Sequence, residues 1–362
     1  MNVFYVGPYR QSDGWGIASR SLAKIISQQE GIDLTCRPIW YNLNSLQQDI
    51  GILEACENKK LEKKETLIQF GLPQYLNYNG DFKRNIAATI VDCRIDNMGW
   101  VANLNLFDEI LVFSKNEKTI LEESGIKSNI RNLNALPIEL HEPITEFDVD
   151  EFGPLYTFYT NAGLGTNSGL RETIVAFLSS FTALDNQVLV IFCNEQNSQQ
   201  ISEEIDLIKK SLNIFGNIND MYPRIGIIKA EDQSLINHAH STFDCFIDLS
   251  YNSSLTYQTI HAFSKNRPAI LLDTCKDQIG EDYGLLVKSI EEPSFTQQRP
   301  VKGMYSGEQA WSKPKIQDIK NKMISVSSDN TIADKAKEVI YKFNSNYSFG
   351  NNQKIKEILC IQ

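Results

Sequence analysis

Several hallmarks of membrane, secreted and metal-binding proteins are missing from this sequence of 362 residues. No window approaches the roughly 18–20 uncharged apolar residues that a membrane span needs. The first residues, MNVFYVGPY, have neither the charged part nor the apolar run of a secretory leader. The seven cysteines are scattered and never spaced CxxC, which is typical of buried, reduced thiols rather than a disulfide or zinc framework. We therefore expect a cytoplasmic protein without integral membrane association.

Positive charge is also scarce. Lys and Arg together number 35 against 45 Asp and Glu, so the formal net charge is −10. Proteins that coat nucleic acids or anionic membranes normally carry the opposite sign. No Asp-x-Asp pair follows a predicted strand, where it would hold a divalent ion at a diphosphate, because Asp148 and Asp150 lie in an acidic, non-periodic stretch. The sequence predicts no metal site.

What the chain does have is a regular alternation of two patterns. Short apolar, β-branched runs alternate with stretches of helical period, which is typical of parallel sheets in α/β proteins. The length suits two domains of about 150–200 residues each. The predicted fold class is α/β, with two Rossmann-like, doubly wound parallel-sheet domains that face each other across a ligand-binding cleft. We predict domains at 1–145 and 151–344, an acidic linker at 142–153, and a terminal segment, 345–362, packed back on the first domain.

The individual elements follow from the same patterns. The predicted strands are 3–6, 34–39, 66–70, 86–91, 109–113, 155–160, 188–193, 224–228, 245–249, 268–272 and 284–287. The predicted helices are 17–28, 116–124, 168–181, 199–212, 233–238, 256–263, 314–324 and 332–343. A Gly/Asn-rich break is predicted at 344–352.

A glycine-bearing loop follows the first predicted strand. Residues 7–19, GPYRQSDGWGIAS, lead into a helix, and Gly14 and Gly16 would let the backbone approach a ligand. The N–H groups of a helix start bind phosphate oxygens. The alternative is that both glycines only shape a turn. No Gly-Lys-Ser/Thr follows, so the loop is not a Walker A motif.

The order of further segments resembles the GT-B glycosyltransferases, and most of all the large retaining family four of nucleotide-sugar enzymes. Residues 107–114 (FDEILVFS) resemble the end of that family's first domain, and 158–177 (FYTNAGLGTNSGLRETIVAF) resemble the start of its donor domain. Residues 253–270 (SSLTYQTIHAFSKNRPAI) match the loop and helix beneath the sugar, and 310–314 (AWSKP) match a late turn. The resemblance covers nearly the whole chain. It implies a GT-B fold, a UDP- or GDP-linked sugar donor, no other cofactor and metal-independent transfer.

Four charged positions of the family are replaced in this chain. Gly163 and Ser168 align with the Arg and Lys that grip the donor diphosphate, and Ser253 and His261 align with the two Glu. We therefore expect other groups to bind the donor. Helix starts with free N–H groups and hydroxyls can bind phosphate without a metal, and Arg171 can add a positive charge.

The donor-binding prediction combines these features. Its residues are Gly14, Trp15, Gly16, Asn161, Asn167, Ser168, Arg171, Ser253, Ser254, Leu255 and His261. Two alternatives stay open at this point. Arg171 can be a solvated residue paired with a nearby carboxylate, and His261 can be a satisfied, semi-buried residue rather than a ligand of the ribose.

The acceptor-side prediction rests on residues near the carboxyl end of the strand at 86–91. Asp92 is the first candidate for the general base that an inverting transfer requires, and Asp96 is the second. The alternative is that either carboxylate caps a helix. Tyr9, Arg10 and Trp100 are the candidate acceptor-binding residues, although the aromatic rings can equally fill the core.

These residues favour a glycosyltransferase that moves a sugar from a nucleoside-diphosphate sugar to a hydroxyl acceptor, with a glycan favoured over DNA. One alternative is a phage-type DNA glycosyltransferase that acts on a hydroxylated base. Its basic groove would use Lys83, Arg84, Arg94 and Lys115. A second alternative is a non-catalytic GT-B binding module, which the four replaced charges would suit.

Overall fold

A computed structural model describes residues 1–41, 49–136, 138, 154–161, 167–214, 221–230, 233–251, 254–293 and 309–359. The predicted linker at 142–153, together with Gly163 and Ser253, lies outside the described residues. The chain divides into two compact units. The first comprises Met1–Glu139, Ser253–Tyr257 and Ser345–Gln362, and the second comprises Leu140–Asn252 and Gln258–Asn344.

The first unit is built on a six-stranded parallel sheet in the order β2-β1-β3-β4-β5-β6. Its strands are β1 (Asn2–Gly7), β2 (Asp33–Pro38), β3 (Thr66–Phe70), β4 (Arg84–Ala88), β5 (Glu109–Val112) and β6 (Asn129–Asn132). Its helices are α1 (Gly14–Ser27), α2 (Leu53–Glu57), α3 (Met98–Leu104) and α4 (Lys115–Glu123). All residues of β3 and β5 are buried, as expected for strands that are covered on both faces.

The second unit contains another six-stranded parallel sheet, in the order β12-β11-β10-β7-β8-β9. Its strands are β7 (Tyr156–Asn161), β8 (Gln187–Cys193), β9 (Arg224–Lys229), β10 (Cys245–Asp248), β11 (Ala269–Leu272) and β12 (Leu286–Val287). A separate antiparallel pair is formed by β13 (Ser289–Pro293) and β14 (Ala310–Pro314). The helices are α5 (Leu170–Leu178), α6 (Glu195–Leu212), α7 (Gln233–Thr242), α8 (Tyr257–Ser264), α9 (Lys276–Ile279) and α10 (Ile316–Ser328). Helix α11 (Asn330–Ile358) begins in this unit, and its part from Ser345 onward belongs to the first unit, as does Tyr257 at the start of α8.

Parallel sheets with helical crossovers confirm the predicted fold class of two Rossmann-like domains. Two local predictions are wrong. The break at 344–352 does not occur, because α11 continues to Ile358, and residues 310–314 form a strand rather than a turn. The terminal part of α11 is held by contacts with the first unit. Arg84 donates to the carbonyl of Ile358 (2.7 Å), and Lys354 donates to the carbonyl of Asn132 (3.2 Å).

Two absences concern the described residues only. Within them, no helix is long and apolar enough to cross a bilayer, and no group of three or more His, Cys, Asp or Glu side chains is arranged to hold a metal ion. The six cysteines that the structure describes are buried and form no disulfide, as the sequence predicts.

Candidate functional site

The strand order of the first sheet reverses between β1 and β3, and the loops that follow these strands form its switch point. Ligands of doubly wound sheets bind outside the carboxyl ends of the strands at such a point. The loop after β1 is a tight turn in which Asp13 caps α1 by accepting the N–H of Gly16 (2.8 Å). A Cβ at residue 16 would overlap the carbonyl of Gln11, whereas Gly14 is exposed with open space around it. Gly16 therefore serves close packing of the turn.

A buried arginine that the sequence analysis did not single out holds this turn. The guanidinium of Arg20, on α1, donates to the carbonyl oxygens of Tyr9 (2.9 Å) and Gln11 (3.2 Å). It lies among buried residues of the helix. An arginine one helical turn inside a glycine-containing helix start is the only sequence signal for this role.

Tyr9 and Arg10, the residues predicted to bind an acceptor, are both largely buried. Tyr9 is fully buried and donates its hydroxyl to Glu57 (3.1 Å). Arg10 forms a bidentate ion pair with the same carboxylate, with Nε 2.9 Å from Oε1, and this bond lowers the pKa of Glu57. The Tyr9 ring is thus buried and the Arg10 charge is paired, and the acceptor-binding role of both residues stays a prediction. Both residues attach the loop to α2.

A buried carboxyl group, Glu117, lies just beyond the end of β5. Glu117 and Ser114 form a capping box at the start of α4, in which the Ser114 hydroxyl accepts the N–H of Glu117 (3.0 Å). Oε2 of Glu117 accepts the backbone N–H groups of Phe113 (2.6 Å) and Ser114 (3.1 Å). Oε1 accepts a hydrogen bond from the hydroxyl of Ser254 (3.0 Å). This bond connects Ser254, a predicted donor-binding residue just before the predicted helix 256–263, to the carboxyl group.

The environment of Glu117 changes its acidity. The pKa of Glu117 is raised to about 8, mainly by burial and also by the charge of Asp92, while the hydrogen bonds from Phe113, Ser254 and Ser114 oppose the shift. A carboxyl group with this pKa holds a proton through much of the neutral range, and a proton on Oε1 would be donated to the Ser254 hydroxyl. The sequence shows the capping-box pattern, but only the fold shows that the carboxyl group is buried.

The predicted carboxylates of the acceptor side have different surroundings. Asp92 follows β4 by four residues, and its Oδ1 atom is buried. Asp96 accepts the guanidinium of Arg94 (Nε to Oδ1, 2.9 Å). Trp100 is partly buried on α3 and packs against the apolar core, so its ring fills space, the alternative left open above. Of the predicted residues, the structure therefore brings Asp92 and Ser254 together around Glu117.

The second sheet reverses its order between β7 and β10, and here the loops pack backbone against backbone. The carbonyl of Asn167 accepts the N–H of Tyr251 (2.9 Å), and Gly169 has a φ of 69°. A Cβ at Gly169 would overlap the carbonyl of Leu249. Ser168 accepts the N–H of Leu170 (3.3 Å) at the start of α5. Asn161 is the last residue of β7.

A small charged cluster lies beside the first turn of α5. The carboxylate of Glu172 accepts the Tyr251 hydroxyl (3.1 Å) and lies 3.8 Å from the ammonium group of Lys313. Lys313, on β14, also pairs with Glu292 (2.9 Å) and keeps 29% of its side chain exposed. The edge of the Trp311 ring faces Tyr251, with centroids 5.9 Å apart. This cluster places a lysine near the predicted phosphate-binding helix start.

Two predicted donor-binding residues of the second unit have surroundings like those that the alternatives describe. The side chain of Arg171 is 67% exposed and pairs with Glu204 on α6 (2.8 Å). His261 is fully buried, with its ring 5.2 Å from that of His240. His240 bonds to Tyr159 (2.8 Å), and burial lowers the pKa of His240 to about 3. His261 therefore has no exposed surface, and its role as a ligand of the ribose stays a prediction.

Three further predicted donor-binding residues complete the set. Trp15 is half-buried and packs edge-on against Phe70, with ring centroids 5.8 Å apart. Leu255 is buried, next to Ser254. Ser253 lies outside the described residues.

Comparisons with known proteins give the fold a wider context. No protein-family model matches the chain, and no curated protein matches it in sequence. Among solved structures, a sucrose-phosphate synthase from Thermosynechococcus elongatus is similar, with a TM-score of 0.61 and 10% identity over 100% of both chains. A trehalose-6-phosphate protein from E. coli, bound with UDP-2-fluoroglucose, has a TM-score of 0.59 and 9% identity over 99% of this chain and 98% of that one.

Staphylococcus aureus TarM, in a complex that contains UDP, is similar over 82% of this chain, with a TM-score of 0.53 and 10% identity. The chain spans only 55% of the TarM length. These neighbours are glycosyltransferases with the GT-B fold. Likeness at such low identity concerns the fold, which is the two-domain Rossmann-like architecture that the sequence predicts.

Proposed function

We propose that this protein is a GT-B glycosyltransferase that moves a sugar from a nucleoside-diphosphate sugar to a hydroxyl acceptor without a metal ion. The observation that carries the proposal is the full-length structural likeness to a sucrose-phosphate synthase and to a protein bound with a UDP-sugar analogue. Because fold alone does not specify function, the polar groups at the two switch points are the second support.

On the donor side, the departing diphosphate needs positive charge and hydrogen-bond donors. The start of α5 supplies N–H groups, and Lys313 lies next to Glu172 in the first turn of that helix. We assign the cationic role to Lys313 rather than to Arg171, because Arg171 is mostly exposed and pairs with α6. A bound diphosphate would compete with Glu172 and Glu292 for the lysine.

On the acceptor side, Asp92 is the proposed general base of an inverting transfer, which takes the proton of the acceptor hydroxyl. Glu117 is a positioning residue, because its buried carboxyl group contacts Ser254 and the backbone rather than solvent. Its bond to Ser254 orients the serine segment that the sequence assigns to the sugar donor.

A saccharide acceptor is supported over DNA by the pairing of two arginines in the proposed basic groove. Arg84 is paired with Glu109 and Arg94 with Asp96, so neither guanidinium presents an uncompensated charge to a phosphate backbone. Neutralising phosphates with Lys and Arg is the main source of affinity for DNA.

Calorimetry with UDP, GDP and TDP, with and without a chelator, tests the proposal. We expect one nucleotide to bind equally well in both conditions, and Lys313→Ala to weaken it about ten-fold or more, since charge-assisted bonds contribute about 1.5–3 kcal/mol. Arg171→Ala is the matched control and should leave affinity within two-fold. Binding of none of the three nucleotides would contradict the transferase. Binding without donor hydrolysis or transfer to any acceptor would favour the non-catalytic module, and salt-sensitive binding of duplex DNA would favour the DNA-modifying alternative.

A further inference from the structure

Four aromatic rings meet near the switch point of the first sheet, and they come from Trp15 on α1, Tyr41 after β2, Phe70 at the end of β3 and Tyr75 after β3. Trp15 and Tyr41 meet edge to face, with centroids 6.0 Å apart, and Trp15 also packs against Phe70 at the end of β3. Tyr41 stacks on Tyr75, with centroids 5.1 Å apart and ring planes 22° apart. The stack lies where a doubly wound sheet normally binds its ligand.

Tyr41 is held in place from several sides. Its hydroxyl accepts the N–H of Leu72 (3.0 Å), and burial raises the pKa of Tyr41. A Cβ at Gly71 would overlap that hydroxyl, so the missing side chain makes room for it. A ring fixed in this way loses little conformational entropy when a ligand binds beside it.

Tyr75 forms the accessible end of the stack. It ends a short 3₁₀ helix, Pro73–Tyr75, whose proline is buried and whose tyrosine is 52% exposed. The amide of Asn77 donates to the carbonyl of Tyr75 (3.2 Å), which continues the ordered backbone toward Tyr78. A large aromatic ring that stays in contact with water although its backbone and one ring face are held by neighbours is typical of recognition sites.

A groove of about 380 Å³ lies on the sheet face of Leu67 and Gln69, which is opposite the face of Phe70 because side chains alternate along a strand. Asn77 connects it to Tyr75, because Asn77 lines the groove and its side-chain amide donates to the Tyr75 carbonyl. The volume is within the range of about 300–1,000 Å³ for ligand pockets. Phe4 and Phe82 lie on its wall as parallel rings 5.9 Å apart, and Tyr78, which is 41% exposed, lies at its rim. Gln69 and Asn77 add amide groups. None of the described residues that line this groove carries a charge.

We propose that the Tyr75 stack and the adjoining groove bind an uncharged saccharide, the acceptor glycan of the transferase. This inference deepens the proposed function. The binding of a saccharide does not depend on that function, but its assignment as the acceptor rests on it. Sugar rings present apolar C–H faces to aromatic rings and hydroxyls to amide groups, and this site offers both. A lining without positive charge does not suit a nucleotide diphosphate or a nucleic-acid backbone, which take Lys and Arg.

Saturation-transfer NMR on the full chain with maltotriose, cellotriose and N,N′,N″-triacetylchitotriose tests the site. We expect at least one trisaccharide to bind at millimolar concentration, and Tyr75→Ala to weaken it at least about five-fold, as the loss of one aromatic contact predicts. Tyr341→Ala, which removes a tyrosine that is 72% exposed on α11, is the matched control and should leave binding unchanged. UDP affinity should be equal in all three proteins.

The outcomes separate this site from the transferase. Saccharide binding that survives Tyr75→Ala, or no binding of any trisaccharide while UDP still binds, overturns the site and leaves the transferase standing. Saccharide binding that depends on Tyr75 without binding of any nucleotide supports the site and overturns the transferase. Displacement of the trisaccharide by duplex DNA overturns the assignment to a glycan.

Discussion

The two switch points have related geometry and different chemistry. In the first sheet, the loops after β2 and β3 carry the stacked rings of Tyr41 and Tyr75, of which Tyr75 is exposed, and a buried carboxyl group, Glu117, lies just beyond the end of β5. In the second sheet, the loops after β7 and β10 are joined backbone to backbone at Gly169, and the nearby charges of Glu172 and Lys313 are paired.

The difference follows from what each switch point has to bind in the proposed reaction. An acceptor sugar is uncharged and is recognised by ring faces and amides, whereas a donor diphosphate is recognised by N–H groups and a cation on a rigid backbone. The same sheet topology therefore supports either chemistry through its loops, because the strands fix only where the loops begin.

The largest expected effect is a loss of stability at the switch point of the second sheet, where the loops pack backbone against backbone. Gly169→Ala should lower stability by about 2–4 kcal/mol, because a Cβ there adds both left-handed strain and an overlap with the Leu249 carbonyl. Calorimetric melting should show a fall in Tm of about 5–15 °C.

Gly31→Ala is the control for this prediction. Gly31 also has a positive φ, 75°, close to that of Gly169, but a Cβ there meets nothing within 4 Å. It should cost only the strain, about 1 kcal/mol. Equal losses for the two variants would show that close packing at Leu249 contributes nothing.

The corresponding test at the switch point of the first sheet is Gly16→Ala. A Cβ at this residue would overlap the Gln11 carbonyl, so we expect a loss of about 1–3 kcal/mol in denaturant unfolding. Gly14→Ala, two residues earlier and with open space around it, should change stability by less than about 0.5 kcal/mol. If both variants unfold alike, the turn is looser than its geometry indicates.

Glu117 should make stability depend on pH. Its folded pKa of about 8 lies above the value near 4.5 expected in the unfolded chain, so the folded state binds the extra proton between these values. Stability should therefore fall with rising pH across this window, by up to about 1.4 kcal/mol per pH unit, and level off above it. Glu117→Gln should abolish this slope, as measured by urea unfolding at pH 5, 6.5 and 8, values that span about three units.

Glu122→Gln provides the comparison for Glu117. Glu122 lies on the same helix, keeps 53% of its side chain exposed and forms a long i,i+4 pair with Lys118 (3.8 Å). Its removal should leave the pH slope as in the unmodified protein. An unchanged slope in Glu117→Gln would mean that the carboxyl group is ionised in the folded state at neutral pH.

The smallest effect is expected for Arg171→Ala. The exposed pair with Glu204 should contribute between about 0 and 1 kcal/mol. Thermal melting should thus barely change. A loss well above this range would show that the pair is part of a larger network between α5 and α6.

Much of the fold was predictable because burial on both faces leaves long apolar runs in parallel strands. β8 and β10 coincide closely with the predicted strands, and the start of α4 lies within one residue of its prediction. The continuation of α11 through a Gly/Asn-rich stretch was missed, since tertiary contacts such as Lys354 with Asn132 outweigh a weak helix propensity. Strand β6 was missed because only Ile130 of its four residues is buried.

The candidate site was harder to predict, because residue type alone does not tell which side chains are buried. Tyr9 and His261 have the chemistry of ligand-binding residues and lie in the core. Tyr75 lies in a loop without a recognisable motif, and its importance depends on a partner, Tyr41, that is 34 positions earlier in the chain. Local sequence patterns encode neither the distance between two such rings in space nor their orientation.

By itself, the sequence determined the alternation of strands and helices, the number of domains and the glycine-containing turns, since all three depend on neighbouring residues and on hydrophobic periodicity. Only the tertiary structure decided that Glu117 is a buried acid bonded to Ser254, that Arg10 is neutralised by Glu57, and that Tyr75 remains exposed. Acidity, pairing and exposure depend on groups brought together from distant parts of the chain, and their electrostatic and solvation energies exist only once those groups meet.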